Sequence, residues 1–286
     1  MLLKFPREQY KKVCRLYTLI FLMMLICIFT GIQQSYCQIG ISPSRLFFEG
    51  KPGETVSQVL SLSNSGTRPF EFALSLKDWK RDSVGGKIYE VPGKFPHSNA
   101  KQVKLNESTI VINPGESKKV SVYMEIPKFS TDSTSTNSIL YFTQTTAEPQ
   151  KTENPAIGIK VAYEYGIQLF YTPYGTKTGD LEFQEFSYKE ALSGKQKRQL
   201  IIKYKNTGNI NKTAMLKIEL TNQKTGEEIK ITPHDLAIMP QDTQLVYIDL
   251  PENVTSGDYL IIAMLDSDSN PNHNNIKVAK KTIHVK

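Results

Sequence analysis

The chain has 286 residues, with 35 Lys and Arg against 28 Asp and Glu, four His and three Cys. All three cysteines (Cys14, Cys27 and Cys37) fall in the first 37 residues, so the rest of the chain has no disulfide framework and no thiol chemistry. Beyond those 37 residues the positive surplus is mild and not gathered into a basic patch, which makes nucleic acid a poor partner.

The first 37 residues read as a targeting segment. Lys4, Arg7, Lys11, Lys12 and Arg15 form a basic region, an apolar run extends from Leu16 to Ile32, and Ser35, Tyr36 and Cys37 precede Gln38. This is the layout of a secretory signal peptide, with cleavage expected before Gln38. The apolar run is just short of the ~20 residues that comfortably span a bilayer, and Tyr36 is too bulky beside Cys37 for a lipoprotein start. The segment holds five of the 35 basic and one of the 28 acidic residues, so the remainder carries 30 against 27, a net +3. No other apolar run is long enough to cross a membrane. The expected product is soluble and exported, with no stable membrane anchor after cleavage.

Removing 37 of the 286 residues leaves a length that suits two domains of ~100–150 residues each. Nearly every segment reads as strand. Gln58, Leu60 and Leu62 alternate before the turn Asn64-Ser65-Gly66, and Phe70, Phe72, Leu74 and Leu76 alternate up to Trp79. Residues 109–113, the turn Pro114-Gly115, and Val120 to Ile126 make strand, turn and strand, and 138–143 make a further strand. Strands at ~8–12-residue spacing with Gly, Pro and Asn between them indicate an antiparallel sandwich. The only tryptophan, Trp79, precedes Lys80-Arg81-Asp82 and is expected to pack in the core or at its rim.

Residues 157–173, IGIKVAYEYGIQLFYTP, carry the strongest pattern. Ile157, Ile159, Val161, Tyr163, Tyr165, Ile167, Leu169 and Tyr171 form an unbroken apolar row at period two, which sets them on one face of an extended strand. That is about three times the usual strand length of ~5–6 residues, so one small sandwich cannot bury the whole row. Part of it must meet a second domain or a partner chain, the latter by β-strand addition.

Pro173-Tyr174-Gly175 interrupts the pattern and marks the boundary. Beyond it, 181–188, 200–204, 215–220, 245–250, 259–265 and 276–285 are strand candidates, and Asn206-Thr207-Gly208-Asn209 and Gln223-Lys224-Thr225-Gly226 are hairpin turns by composition. The expected architecture is all-β, two Ig-like antiparallel β-sandwich domains at 38–172 and 173–286 after the signal peptide at 1–37.

Little in the sequence speaks for catalysis. His97, His234, His273 and His284 are scattered, and neither a nucleophile elbow nor a phosphate loop is present. Asp266-Ser267-Asp268-Ser269-Asn270 begins like a calcium loop, but Pro271 and Lys277 stand where that loop needs glycine and glutamate. No enzyme, metal or cofactor is expected. Arg45 is different. It sits among apolar residues in an early strand, Ile41 to Phe48, where an arginine needs a partner or a wet cleft, and its planar fork suits a carboxylate. An edge-strand arginine in solvent is the alternative.

Ser44-Arg45-Leu46-Phe47-Phe48 with Gly50, the Asn64 turn, Asn113-Pro114-Gly115-Glu116 and Tyr165 to Pro173, in this order, resemble the periplasmic pilus-assembly chaperones, the PapD-like family. The likeness is clearest over 39–173. It implies a periplasmic chaperone that binds secreted pilus or surface subunits by donor-strand complementation, with an outer-membrane usher as a further candidate partner. In that family a subunit lacks its last strand, and the chaperone's long strand fills the resulting groove. Carried over, Ile159, Val161 and Tyr163, with Ile157, become the groove-filling side chains. Arg45 becomes the cleft arginine that holds the subunit's terminal carboxylate. The family's cleft lysine falls at Gln168, the basic residue usual before the proline is Thr172, and an acidic-basic motif is replaced by Asp132-Ser133-Thr134-Ser135-Thr136. These departures bear on carboxylate anchoring more than on strand donation, since a charged hydrogen bond contributes ~1.5–3 kcal/mol against ~0.5–1.5 for a neutral one. The alternative from another class is an exported Ig-like surface adaptor or adhesion module with no assembly role. In its anchored form that class usually ends in a membrane helix, which the sequence lacks.

Overall fold

The structure is a computed structural model, and it describes residues 15, 17, 18, 20, 21, 23, 38–128, 133–145, 148–149, 160–190, 197–267 and 276–286. The chain divides into two compact units, Met1–Ile39 and Gly40–Lys286. In the first, Arg15, Tyr17, Thr18, Ile20, Phe21 and Met23 are helical. No helix among the described residues is long and apolar enough to cross a membrane.

Among its described residues the second unit is all-β apart from one 3-10 turn at Ala100–Gln102. It begins with β1 (Ile39–Ser42), β2 (Arg45–Phe48), β3 (Thr55–Asn64), β4 (Phe70–Arg81), β5 (Lys87–Glu90), β6 (Val103–Leu105), β7 (Thr109–Ile112) and β8 (Ser117–Glu125). Then follow β9 (Thr136–Gln144), β10 (Glu148–Pro149), β11 (Lys160–Val161) and β12 (Glu164–Tyr171). One sheet runs β1-β3-β8-β6. The facing sheet runs β2-β12-β9-β4, with β5 and β7 taking successive stretches of the far edge of β4, and β10 pairs with β11 in a separate ribbon. The opening strand is thus shared between the two sheets: β1 lies beside β3, and after Ser42-Pro43 β2 lies beside β12. Alternation decides the inner face. Leu60, Leu62, Val122 and Met124 from one sheet meet Leu46, Phe48, Phe72, Leu140, Phe142, Ile167 and Leu169 from the other, all buried. Phe72 meets Phe142 and Tyr165 edge-on at 6.5 and 5.9 Å.

A second sandwich follows from β13 (Leu181–Lys189), β14 (Gln199–Asn206), β15 (Lys212–Asn222), β16 (Glu228–Ile238), β17 (Thr243–Asp249), β18 (Gly257–Asp266) and β19 (Ile276–Val285). Sheets β13-β14-β17 and β16-β15-β18-β19 enclose a core that includes Leu200, Ile202, Leu216, Ile218, Ile261 and Leu265. The fold is therefore two Ig-like antiparallel β-sandwiches, as the spacing of strands and turns predicts.

The Asn64 and Asn206 turns are alike at the level of atoms. Asn64 Nδ2 donates to Arg68 O and Ile112 O at 2.7 and 3.1 Å, and its Oδ1 accepts from Gly66 N at 2.9 Å. Asn206 Nδ2 donates to Ile210 O and Met239 O at 2.7 and 3.1 Å, and its Oδ1 accepts from Gly208 N at 2.9 Å. Each amide serves three buried or half-buried backbone groups that would otherwise go unpaired.

The second corner also meets the chain connecting the sandwiches. Thr207 N donates to Asp180 O at 2.9 Å, Asn209 N to Lys177 O at 2.8 Å, and Ser135 N in the first sandwich to Asn209 O at 2.7 Å. The backbones here are so close that a Cβ on Gly208 would stand 1.9 Å from Thr178 O, and one on Gly179 would stand 2.1 Å from Gly208 Cα. Only glycine fits at either position.

The row over 157–173 does not form one continuous strand. Ile157 and Ile159 lie outside the described residues. From 160 onward the row is split by Ala162 and Tyr163 into β11 and β12. The cause lies in the partner strand. Gln144 N donates to Tyr163 O at 2.9 Å while Gln144 Oε1 accepts from Tyr163 N at 3.2 Å. A side chain thereby substitutes for a ladder carbonyl, and the regular pairing of β12 starts only at Glu164↔Thr143.

Candidate functional site

The second sheet of the first sandwich is apolar on both faces. Odd-numbered residues of β12 point into the sandwich, yet Gln168 and Phe170 are also buried. Phe170 packs with Trp79, Ile139, Tyr141 and Met239, a residue of the second sandwich, in a small core on the outer face. Phe47 stacks on Phe170 at 5.4 Å, and Trp79 meets Phe170 edge-on at 5.9 Å. Trp79 is held in place by Nε1 donating to Ser138 O at 3.0 Å, while Asn137 Nδ2 donates to Trp79 O at 2.8 Å. Trp79 is therefore a core residue, but of the contact between the sandwiches rather than of either interior.

Arg45 and Gln168 are direct neighbours, paired in register on the parallel strands β2 and β12. Arg45 is exposed and lines a cavity of about 590 Å³ with Arg81 from β4 and, from the second sandwich, residues of β15 and β16 including Met215, Asp235 and Leu236. Arg45 forms no ion pair among the described residues. It is exposed on β2, an edge strand of its sheet, and it faces this cavity.

From this point the edge of β12 changes character. Over Gln168–Tyr171 it has β9 on one side and β2 on the other; over 164–167 it pairs, among the described residues, with β9 alone. Further along, Val161 is half-buried and pairs with Glu148, and Tyr163 is 47% exposed. The structure thus brings Arg45 and Gln168 together and puts Val161 and Tyr163 upstream on the same edge.

Sequence reasoning missed Arg81 and Lys87. They face each other directly across the hairpin of β4 and β5, and both sit on Trp79, with the Arg81 guanidinium 5.7 Å and the Lys87 Nζ 5.6 Å from its ring, within cation–π range. Arg81 Nη1 also donates to Gly85 O at 2.6 Å in the hairpin turn. That turn is built on Asp82, whose Oδ1 accepts from Val84 N and Gly86 N at 2.9 and 2.8 Å, and it docks on the second sandwich through Leu245 N donating to Ser83 O at 2.7 Å. Burial first, and then the Arg45 charge, depress the Arg81 pKa, while Tyr204 and Tyr89 act the other way. The Lys87 pKa is lowered by partial desolvation of its otherwise exposed side chain and by the charges of Arg81 and Arg45. The signal available in the sequence was the two-residue step from Trp79 to Arg81 before Asp82-Ser83-Val84-Gly85-Gly86, which puts an arginine and the next strand's lysine on the tryptophan's face.

No group of three potential metal ligands occurs among the described residues. His284 Nδ1 lies 2.7 Å from Asp258 Oδ1 at an exposed site, and Lys277 pairs with Asp180 at 2.7 Å.

No family model and no curated protein matches the sequence. Among solved structures the chain is similar to the class 5 fimbriae chaperone CfaA, at 13% identity over 85% of this chain and 98% of that one with a TM-score of 0.46. It is similar to a chain of the chaperone–tip adhesin complex of CFA/I fimbriae biogenesis, at 14% identity over 85% and 98% with a TM-score of 0.45. A chain of the CsuC–CsuE chaperone–tip subunit complex from the Csu pili of Acinetobacter baumannii is a third, at 13% identity over 85% and 97% with a TM-score of 0.44.

Proposed function

We propose that this chain is an exported, non-enzymatic chaperone that holds strand-deficient surface subunits by lending them the edge formed by β11 and β12. Export would follow cleavage before Gln38, leaving sandwiches at 38–172 and 173–286 to act in the periplasm. The observation that carries the reading is the end, at Arg45, of the edge of β12 that no described strand covers. Where β2 begins to pair with β12, an arginine that forms no ion pair among the described residues stands beside Gln168 and lines a cavity. A client strand running parallel to β12 along 161–167 would bring its carboxyl end to that arginine. Backbone pairing supplies the affinity in strand addition, and alternate side chains supply the specificity. Ile157, Ile159, Val161 and Tyr163 would enter the client's groove, each contributing ~1.5–3 kcal/mol on full burial, while Arg45 and Gln168 receive the terminal carboxylate.

Purification of the exported chain with its bound proteins, followed by sequencing of their C-termini, tests this. The expected partners end in a segment of alternating apolar residues and are lost from the Val161→Asp variant. Partners retained undiminished by Val161→Asp would overturn strand donation.

A further inference from the structure

We propose that Arg81, supported by Lys87, supplies the second positive charge of the carboxylate site that Arg45 begins, from across the sheet rather than from β12. The nature of the ligand rests on the chaperone reading. Gln168, the neighbour of Arg45 on β12, brings no charge. Arg81 lines the same cavity as Arg45, and among the described residues neither arginine has a carboxylate partner. After desolvation, the Arg45 charge lowers the Arg81 pKa, and the charges of Arg81 and Arg45 lower that of Lys87. Like charges so gathered are unfavourable unless an anion joins them.

The setting fits a carboxylate. Trp79 supports the Arg81 guanidinium from one side and Gly85 O binds its Nη1, so the remaining N–H groups of the fork are held in a fixed direction. On the opposite wall, Asp266 is already paired with Lys217 at 3.2 Å. Asp235 is exposed and forms no ion pair with either arginine among the described residues. Met215 and Leu236 give that wall an apolar surface for the side chain of a terminal residue.

Trp79 is the only tryptophan in the chain, so its indole N–H gives a single NMR resonance directly beneath Arg81. The probe is a short acetylated peptide of alternating valine and threonine, prepared once with a free carboxylate and once as the C-terminal amide. Wild-type protein should shift the indole resonance with the acid at roughly tenfold lower concentration than with the amide, the size of one charge-assisted hydrogen bond. Arg81→Gln should abolish this preference, Arg81→Lys should retain part of it, and Lys87→Gln should reduce it. Thermal unfolding confirms that each variant is folded, and Arg81→Lys keeps the test valid if Arg81→Gln is not. Loss of the preference in Arg45→Gln with full retention in Arg81→Gln overturns the assignment of Arg81 and leaves the chaperone reading standing. No preference in the wild type removes the carboxylate site itself, while Val161→Asp still decides strand donation.

Discussion

At the scale of single residues, the clearest expectations concern groups whose partners are buried. Asn64→Ala or Asn206→Ala leaves two carbonyls and one N–H without their side-chain partner, and each should cost about 1–3 kcal/mol, read as a lowered urea midpoint. Tyr204 donates to Gln244 Oε1 at 2.8 Å, and burial pushes its phenol up to about 12. An unfolded tyrosine titrates near ~10. The contribution of Tyr204 to stability is therefore complete below the unfolded value and is lost as pH rises from about 10 to 12. Tyr204→Phe should flatten the alkaline decline, recovering about 1 kcal/mol at pH 11 relative to the wild type, in guanidinium unfolding compared at pH 9 and 11. Arg45 is a contrasting case. It is exposed and makes no ion pair among the described residues, so Arg45→Ala should change stability by less than about 0.5 kcal/mol while weakening client capture. Equal client recovery from both proteins would remove Arg45 from the mechanism.

At the scale of strands, Val161→Asp is the sharpest experiment. A charge on a half-buried edge position should leave the melting temperature nearly unchanged and abolish client binding. If the first sandwich unfolds instead, Val161 serves its core and the donor-strand reading fails. Much of this architecture is legible in the sequence, because alternation reports directly on strands with one dry face, as in Phe70, Phe72, Leu74 and Leu76 of β4. β16 was not legible: Pro233 sits inside it. The structure accommodates that proline because β16 is an edge strand whose register against β15 shifts between Leu216 and Ile218, one of the few places where a strand tolerates a missing donor. β5 has four residues, all exposed, and offers no pattern. Arg45 stands out in the sequence as an arginine amid apolar residues. Arg81 and Lys87 could not be weighed in the same way, since their importance depends on which face of the sheet the second sandwich covers.

At the scale of the whole molecule, the cleft depends on the corner at Asn206 to Asn209, which joins the connecting segment, the second sandwich and Ser135 of the first. Gly208→Ala would force a Cβ into Thr178 O, and such overpacking typically costs ~1–3 kcal/mol. The expected result is calorimetric unfolding in two separated transitions, because the junction loosens before either core is lost. A single transition at the wild-type temperature would show that the corner does not govern the junction.

The sharing of the opening strand between two sheets carries one more consequence. Because β2 occupies the edge of β12 from Gln168 onward, it blocks that edge as a fixed stop, and any strand lying along 161–167 must be counted backwards from its own last residue. Seven positions at ~3.3 Å each give a gauge about 23 Å long whose zero is a chain terminus. Lengthening a client by one residue at its carboxyl end would slide it by one place and turn its whole apolar set to the opposite face. Such a protein would sort its clients by where they stop as much as by what they contain.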